Sequence, residues 1–304
     1  MRIVSLIPSG TDIAASLGLG KYLVGKSHTC DHPEVSSLPI LTQSRVRYDM
    51  SPREIDDAVT NALQNGDGNS SLYVTDKVLL RELNPDVVLT QTICDVCAVN
   101  ANSAARDLPP SARLVNLSAT SFGGLWEDFR EVAQSVSTPL PAVTQRAEDL
   151  ISALQARLEA IEIAVRDKSR PKVLVLEWSD PPFIGGHWVP EIIERAGGQH
   201  VLGKAGEASR RASWEEIAEA DPDLIFLAPC GYDLQETTEQ GHALLEYSGF
   251  TQLRAVQTEN VWATNATHLF SRCTPMSVRA TEVVAGVLHE DVWEKPAATE
   301  VGKL

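Results

Sequence analysis

The sequence predicts an α/β protein of two lobes, each with a central parallel sheet flanked by helices, joined by one long helix. Short apolar runs alternate with helix-patterned segments along the chain, and that alternation implies parallel sheets. The two halves repeat one plan. A chain of 304 residues also suits two α/β units of roughly 100–150 residues each. The expected boundaries are an N-terminal lobe over 1–138, a linking helix over 139–170, a C-terminal lobe over 171–290 and a tail over 291–304.

In the first half, Arg2-Ile3-Val4-Ser5-Leu6-Ile7 reads as a strand and Pro8-Ser9-Gly10-Thr11 as a turn and helix start. Asp12 to Leu17 reads as a short helix stopped by Gly18, and Leu23-Val24-Gly25-Lys26 as a second strand. Pro52 to Leu63 has helical character, and Asn65 to Asn69 is a loop. The second half echoes this, with a strand over Lys172–Leu176, a helix from Pro190 to Ala196 ended by Gly197-Gly198, and a strand over Val201–Lys204. A further pair repeats: Asn84-Pro85-Asp86 precedes the apolar run Val87-Val88-Leu89, and Asp221-Pro222-Asp223 precedes Leu224-Ile225-Phe226. Val261 to Thr264 is another strand, and Val292 to Leu304 reads as a frayed tail.

Between the halves Ala147, Leu150, Ile151, Leu154, Leu158, Ile161 and Val165 recur at three and four residues, an amphipathic helix pattern. Pro139 and Pro141 suit its start and Pro171 its end. From Val143 to Lys168 it would span about 39 Å at 1.5 Å per residue. Its single apolar stripe fits packing along its own lobes better than a coiled-coil dimer, so a monomer is expected.

Apolar and charged shares of 43% and 22% are globular values. The net charge of −15 argues against a nucleic-acid partner, which needs clustered Lys and Arg. No apolar run reaches the ~18 residues of a membrane span. Met1-Arg2 runs straight into the first strand without an apolar leader, so a cytoplasmic location is expected, or a periplasmic one if a signal has been removed.

Ligands of parallel α/β sheets bind beyond the carboxyl ends of the strands, which directs attention to the loops there. Ser9 and Thr11 open a helix whose free N–H groups suit an anion or amide oxygen; an ordinary helix cap is the alternative. His28, Cys30, Asp31 and His32 follow the second strand, and Cys94, Asp95 and Cys97 follow the third. Thiolates and imidazoles at this spacing suit zinc or cobalt, with His28, Cys30, Cys94 and Cys97 as ligands. The Cys94–Cys97 pair equally suits a thiol-dependent enzyme or redox role, or half-buried structural thiols. In the second half Trp178, Phe183, His187 and Trp188 offer a surface for a flat ligand, or fill the lobe core. His268 and Arg272 lie in another strand-end loop. Arg272 there suits a carboxylate, amide or phosphate, or is a solvated surface charge. No nucleophile elbow, phosphate-binding loop or zinc-protease motif is present, so binding is expected rather than catalysis.

These residues resemble the cobalamin-binding, single-helix class of ABC-transporter substrate-binding proteins over about residues 1–290. The marks are Arg2 through Asp12, Val24-Gly25, Asp31-His32-Pro33, Asn84-Pro85-Asp86, Asp180-Pro181-Pro182-Phe183, Ala196-Gly197-Gly198 and Ser271-Arg272. The chain looks closer still to a signal-less branch with Cys-Asp and CxxC loops. The resemblance implies two lobes bridged by a rigid helix, with cobalamin or a related corrinoid held in the cleft between them. It also implies an ABC permease as partner. Two aromatic positions of the class align with Thr29 and Gln91, His268 replaces a carboxylate, and Arg272 keeps an arginine. Of two glutamates that dock on the permease, one aligns with Glu215 and the other with Val78.

Overall fold

The computed structural model describes residues 1–45, 50–64, 72–93, 108 and 111–304. The chain forms two compact units, Met1–Ala119 with Gly123–Ser152, and Thr120–Phe122 with Ala153–Leu304.

The first unit contains β1 (Ile3–Ser5), α1 (Pro8–Ser16), β2 (Leu23–Lys26), β3 (Thr42–Ser44), α2 (Pro52–Gln64), β4 (Tyr73–Thr75), α3 (Lys77–Leu83), β5 (Val87–Gln91) and β6 (Arg113–Leu117). Its sheet is parallel throughout, in the order β2-β1-β5-β6. The central strands β1 and β5 are buried along their whole length, as expected of strands covered on both faces. β3 and β4 form a separate antiparallel pair that the sequence pattern did not announce. Next come α4 (Phe122–Val136), whose first residue groups with the second unit, and α5 (Ala142–Val165). α5 runs from one unit into the other and is the expected long helix. Ala147, Ile151, Leu154, Leu158, Ile161 and Val165 are all buried on it, while Leu150 is half-buried.

The second unit contains β7 (Lys172–Ser179), β8 (Pro182–Ile184), α6 (Val189–Arg195), β9 (Gln199–His200), β10 (Arg210–Arg211), α7 (Trp214–Ala220), β11 (Leu224–Leu227) and α8 (Leu234–Leu244). α9 (Ser248–Thr251), α10 (Arg254–Gln257), β12 (Val261–Thr264), α11 (Ala266–Leu269), α12 (Pro275–Leu288) and β13 (Val301–Lys303) complete it. β9, β7, β11 and β12 are parallel in that order, the same order as β2-β1-β5-β6. The duplicated plan of the sequence is therefore a duplicated topology. The second strand of the repeat lies at Gln199–His200, not at Val201–Lys204 as expected. Its two residues pair with Lys172 and Val173 at the beginning of β7, which leaves the rest of that edge for antiparallel β8.

Small devices repeat along with the strands. α1 and α6 both end in a glycine with positive φ, Gly18 at 70° and Gly197 at 85°. In both, the N–H of this glycine and of the next residue return to the last turn, Gly18 to Ala15 and Leu19 to Ala14, Gly197 to Glu194 and Gly198 to Ile193. This is the Schellman arrangement that satisfies the last helical carbonyls. The Asn-Pro-Asp and Asp-Pro-Asp motifs are equally alike. Asn84 and Asp221 take left-handed conformations that end α3 and α7. Two residues on, Asp86 accepts the Arg2 N–H and Asp223 the Lys172 N–H, each at 2.7 Å. Each motif thus stops a helix and fixes the entry of a central strand.

Three expectations change. α1 begins at Pro8, not at Asp12, because proline at the first position costs no hydrogen bond. The second sheet is mixed, since β8, β10 and β13 are antiparallel additions. The tail does not fray: β13 pairs with β12, Val301 is buried, and Leu304 packs on the unit's core. Among the described residues no helix is long and apolar enough to cross a membrane.

Candidate functional site

In each unit the strand order reverses direction at the central pair, β1/β5 and β7/β11. Loops at the carboxyl ends of such pairs are where open α/β sheets bind ligands.

In the second unit β7 turns through Asp180-Pro181, a cis peptide bond, into β8. The register is interrupted: Leu176 faces Ile184, but Trp178 faces Phe183. Two steps along β7 match one step along β8, so Glu177 is the extra residue of a β-bulge. Neighbours on β8 point to opposite faces of the sheet. Ile184 and Leu176 enter the buried core that includes Ile217 of α7. Phe183, and with it Trp178, therefore stands on the opposite face. Without the bulge, Trp178 would share a face with Leu176; re-aiming a side chain in this way is a known use of bulges beside sites.

Trp178 meets Tyr232 edge-on at 5.7 Å between ring centroids. Tyr232 lies in the loop after β11. Its carbonyl accepts both the N–H and the hydroxyl of Thr267, each at 3.0 Å. The Gly231 N–H reaches Ser271 Oγ at 3.3 Å. The loops after β11 and β12 are thus laced together beside Trp178. Burial, then the nearby charge of Glu236, raise the Tyr232 phenol above its ordinary range. His268 is exposed on α11. Arg272 is 8% exposed, which overturns the reading of it as a solvated surface charge.

His187 and Trp188 occupy the turn before α6. His187 has φ of 52°, a conformation sparsely used by residues other than glycine and asparagine. A backbone clamp holds it there: its N–H donates to Glu207 at 2.6 Å and its carbonyl accepts from Gly206 at 2.8 Å. Burial lowers the pKa of its imidazole. The ring lies 5.8 Å from that of Trp188, whose indole N–H donates to the Phe270 carbonyl at 2.9 Å.

In the first unit Ser9 and Thr11 lie inside the first turns of α1, and neither caps it: the cap position is Ile7, without a side-chain hydrogen bond. Thr11 is fully buried and its hydroxyl donates to Cys30 Sγ at 3.1 Å. Cys30 is itself buried. His28 shares a 2.6 Å hydrogen bond between its Nδ1 and the Thr42 hydroxyl and packs 5.5 Å from the Tyr73 ring; burial lowers its pKa. The Thr29 hydroxyl bonds Ser27 at 2.8 Å. Gln91 is buried at the end of β5. Cys94 and Cys97, with Asp95, lie outside the described residues, and among the described residues no group of three His, Cys, Asp or Glu is placed to hold a metal ion.

Sequence reasoning missed Tyr232 and Arg211. Tyr232 lies in the loop that follows the apolar run Leu224-Ile225-Phe226, a run that the sequence pattern did mark. Arg211, exposed on β10, lies 5.7 Å over the Phe183 ring, and nothing in the local pattern announces it.

Comparisons with known proteins bear on the architecture. A family model described as periplasmic binding protein matches residues 3–267. A vitamin B12-binding protein of Vibrio cholerae is 25% identical over 295 residues, covering 94% of this chain and 88% of that protein. An uncharacterized ABC transporter substrate-binding lipoprotein of Bacillus subtilis is 22% identical over 298 residues, 97% of this chain and 82% of that one. A crystal structure of a periplasmic heme binding protein from Pseudomonas aeruginosa superimposes with a TM-score of 0.71 at 18% identity, covering 99% and 97% of the two chains. At that identity the likeness speaks to fold alone.

Proposed function

Because the chain belongs to the periplasmic binding protein family, we propose that it binds a flat metal chelate of the corrinoid type, cobalamin or a close relative. It is a binding protein rather than an enzyme. The observation that carries the ligand class is the bulge that turns Trp178 away from the core and against Tyr232. Aromatic faces at a strand-end crevice suit a large planar ring, which gains most from apolar area and stacking. The buried Arg272 of the adjoining loop supplies a polar anchor for amide or acidic side chains of the ring. The B12-binding relative supports this ligand among chelates.

The same relatives bear on partner and location. The family is described as periplasmic and one relative as a transporter lipoprotein, which favours the periplasmic alternative over the cytoplasmic reading. An ABC permease remains the partner in this reading. Glu215 is exposed in the first turn of α7, whereas Val78, at the other docking position implied by resemblance, is exposed and uncharged.

The test is a fluorescence or calorimetric titration of the purified protein with cyanocobalamin. Saturable one-to-one binding is expected, and a Trp178→Ala variant should weaken it. A Kd weaker than about 100 μM, or about −5.5 kcal/mol, would reject the reading. Saturable binding of hemin without binding of cyanocobalamin would move the ligand from corrinoid to porphyrin.

A further inference from the structure

Glu300 stands just before β13 and works in two directions. Its carboxylate receives Arg279 Nε on one oxygen at 2.7 Å and Arg279 Nη2 on the other at 2.8 Å. The Ala297 N–H adds a third bond at 3.0 Å, and the Glu300 N–H donates back to the Ala297 carbonyl at 2.9 Å. The Glu300 side chain is 19% exposed, so this is not the weak, fully solvated kind of ion pair. The guanidinium holds the Glu300 carboxyl below its ordinary range. Arg279 is itself fixed: its Nη1 donates to Glu282 of α12 at 2.9 Å, and Glu282 receives Arg157 of α5 at 2.8 Å. A guanidinium fork that meets both carboxylate oxygens sets the orientation of the carboxylate as well as its distance.

The backbone of the same residue faces the candidate site. The Glu300 carbonyl accepts the Asn265 N–H at 2.8 Å. Asn265 is the residue at which β12 ends and α11 begins, and no side chain caps α11 there, so backbone contacts set the entry of that helix. Two residues on, Thr267 donates its N–H and its hydroxyl to the Tyr232 carbonyl. Five residues on, the Phe270 carbonyl accepts the Trp188 indole N–H. The loop that starts at Asn265 is therefore the one that holds both Tyr232 and Trp188.

We propose that Glu300 is a positioning residue for the ligand crevice of the second unit. Arg279 fixes its carboxylate, and its carbonyl fixes the start of the loop that holds Tyr232 and Trp188. The proposal rests on the chelate reading given above. Glu300 acts through Asn265, not by contact with the ligand. Its contribution is to hold the loop in its binding geometry beforehand, which reduces the ordering to be done when the ligand arrives.

The test compares the natural protein with E300A, E300Q, R279K and K303A. Lys303 is exposed on β13 and serves as the control in the same strand. Kd is measured for cyanocobalamin and hemin. Hydrogen exchange is followed at the Asn265 and Thr267 amides and, as a reference in the sheet, at the Ile225 amide, which donates to Asn260. The Trp188 indole N–H signal, assigned with W188F, reports on its bond to Phe270. E300A should weaken the binding of whichever probe the natural protein takes by about tenfold. It should also speed exchange at Asn265 and Thr267 but not at Ile225, and shift the indole signal. E300Q, which loses the charge, and R279K, which loses the fork, should lie between E300A and the natural protein. K303A should stay within about twofold in Kd and leave the indole signal in place.

Three results overturn the role of Glu300 and leave the chelate reading standing. One is an unchanged Kd in E300A despite faster exchange, which makes Glu300 a stabilising residue only. Another is equal quickening at Asn265, Thr267 and Ile225, which is a general loosening. The third is a K303A variant that behaves like E300A. Failure of the natural protein to bind either probe overturns both the reading and the proposal. Circular dichroism and melting curves establish that each variant is folded at the temperature of the titration, and E300Q carries the test if E300A is not.

Discussion

The hydroxyl of Thr11 donates to the sulfur of Cys30 at 3.1 Å, with both side chains buried. This places the Cys30 thiol within the packing of α1 against the loop that follows β2. Thr11→Val keeps the shape and removes the donor, so it should cost about 0.5–1.5 kcal/mol in urea unfolding. Cys30→Ser should leave the zinc and cobalt content of the purified protein unchanged. A fall in metal content in that variant, measured by elemental analysis, would return Cys30 to the role of ligand.

Trp188 has two separable parts. Its N–H ties the turn before α6 to Phe270, and its ring is half-buried beside His187. Trp188→Phe should lose about 1 kcal/mol of stability by removing the donor, yet retain most of the affinity for a flat chelate. Trp188→Ala removes the aromatic face as well and should weaken binding about tenfold further, or 1.4 kcal/mol. If both variants bind alike, the ring of Trp188 takes no part in recognition.

Two buried groups respond to acid with opposite sign. Burial raises Asp128 to about 6, although the Ser118 and Ala119 N–H groups stabilise its carboxylate. The folded protein therefore binds this proton more tightly than the unfolded chain, and the associated stability is present below pH 4 and lost as pH rises through 6. Burial lowers His200 to about 4. Here the unfolded chain takes up the proton first, so stability is full above pH 6.5 and is lost as pH falls towards 4. Each contribution amounts to about 3 kcal/mol at its limit. NMR titration should give midpoints near 6 for Asp128 and near 4 for His200. Compared with the natural protein, Asp128→Asn should lose stability more steeply between pH 6 and pH 4, and His200→Asn less steeply. The opposite ordering would refute the assignment.

Much of the scaffold was legible because long patterns average over many residues. The stripe from Ala147 to Val165 spans five turns, and β2 has the bounds its apolar run gave. The stop at Gly18 and the paired Asn-Pro-Asp and Asp-Pro-Asp motifs follow from backbone conformations that few residues adopt. Two- and three-residue strands such as Gln199–His200, Arg210–Arg211 and Val301–Lys303 carry too few positions for any period to register. The aromatic loop of Trp178, Phe183, His187 and Trp188 was visible in composition. Its geometry was not, because a single inserted residue at Glu177 reverses the face on which Trp178 falls, and register is a property of the pairing. Arg211 was hidden for the same reason: whether it or Arg210 shares a face with Trp178 depends on which residue of β8 each one meets.

The backbone clamp on His187 yields the strictest test. Gly186 lies so close to the arm that follows β9 that an added Cβ would sit 2.5 Å from Ser209 N, 2.6 Å from Ala208 C and 2.6 Å from Glu207 O. All three are backbone atoms, so no side-chain rotation relieves the clash, and the arm itself must move. Gly186→Ala should therefore cost about 1–3 kcal/mol, the usual range for overpacking. It should also lengthen the hydrogen bonds that His187 makes with Glu207 and Gly206, and so speed hydrogen exchange at the amides of His187 and Gly206. Chelate affinity should fall with them, because the turn carrying His187 and Trp188 would lose its support. Gly302→Ala is the control. A Cβ there meets nothing within 4 Å, and its effect should stay within about 0.5 kcal/mol. If Gly186→Ala matches this control in stability and exchange, the arm does not hold His187, and the strained turn must owe its shape to contacts within α6 instead.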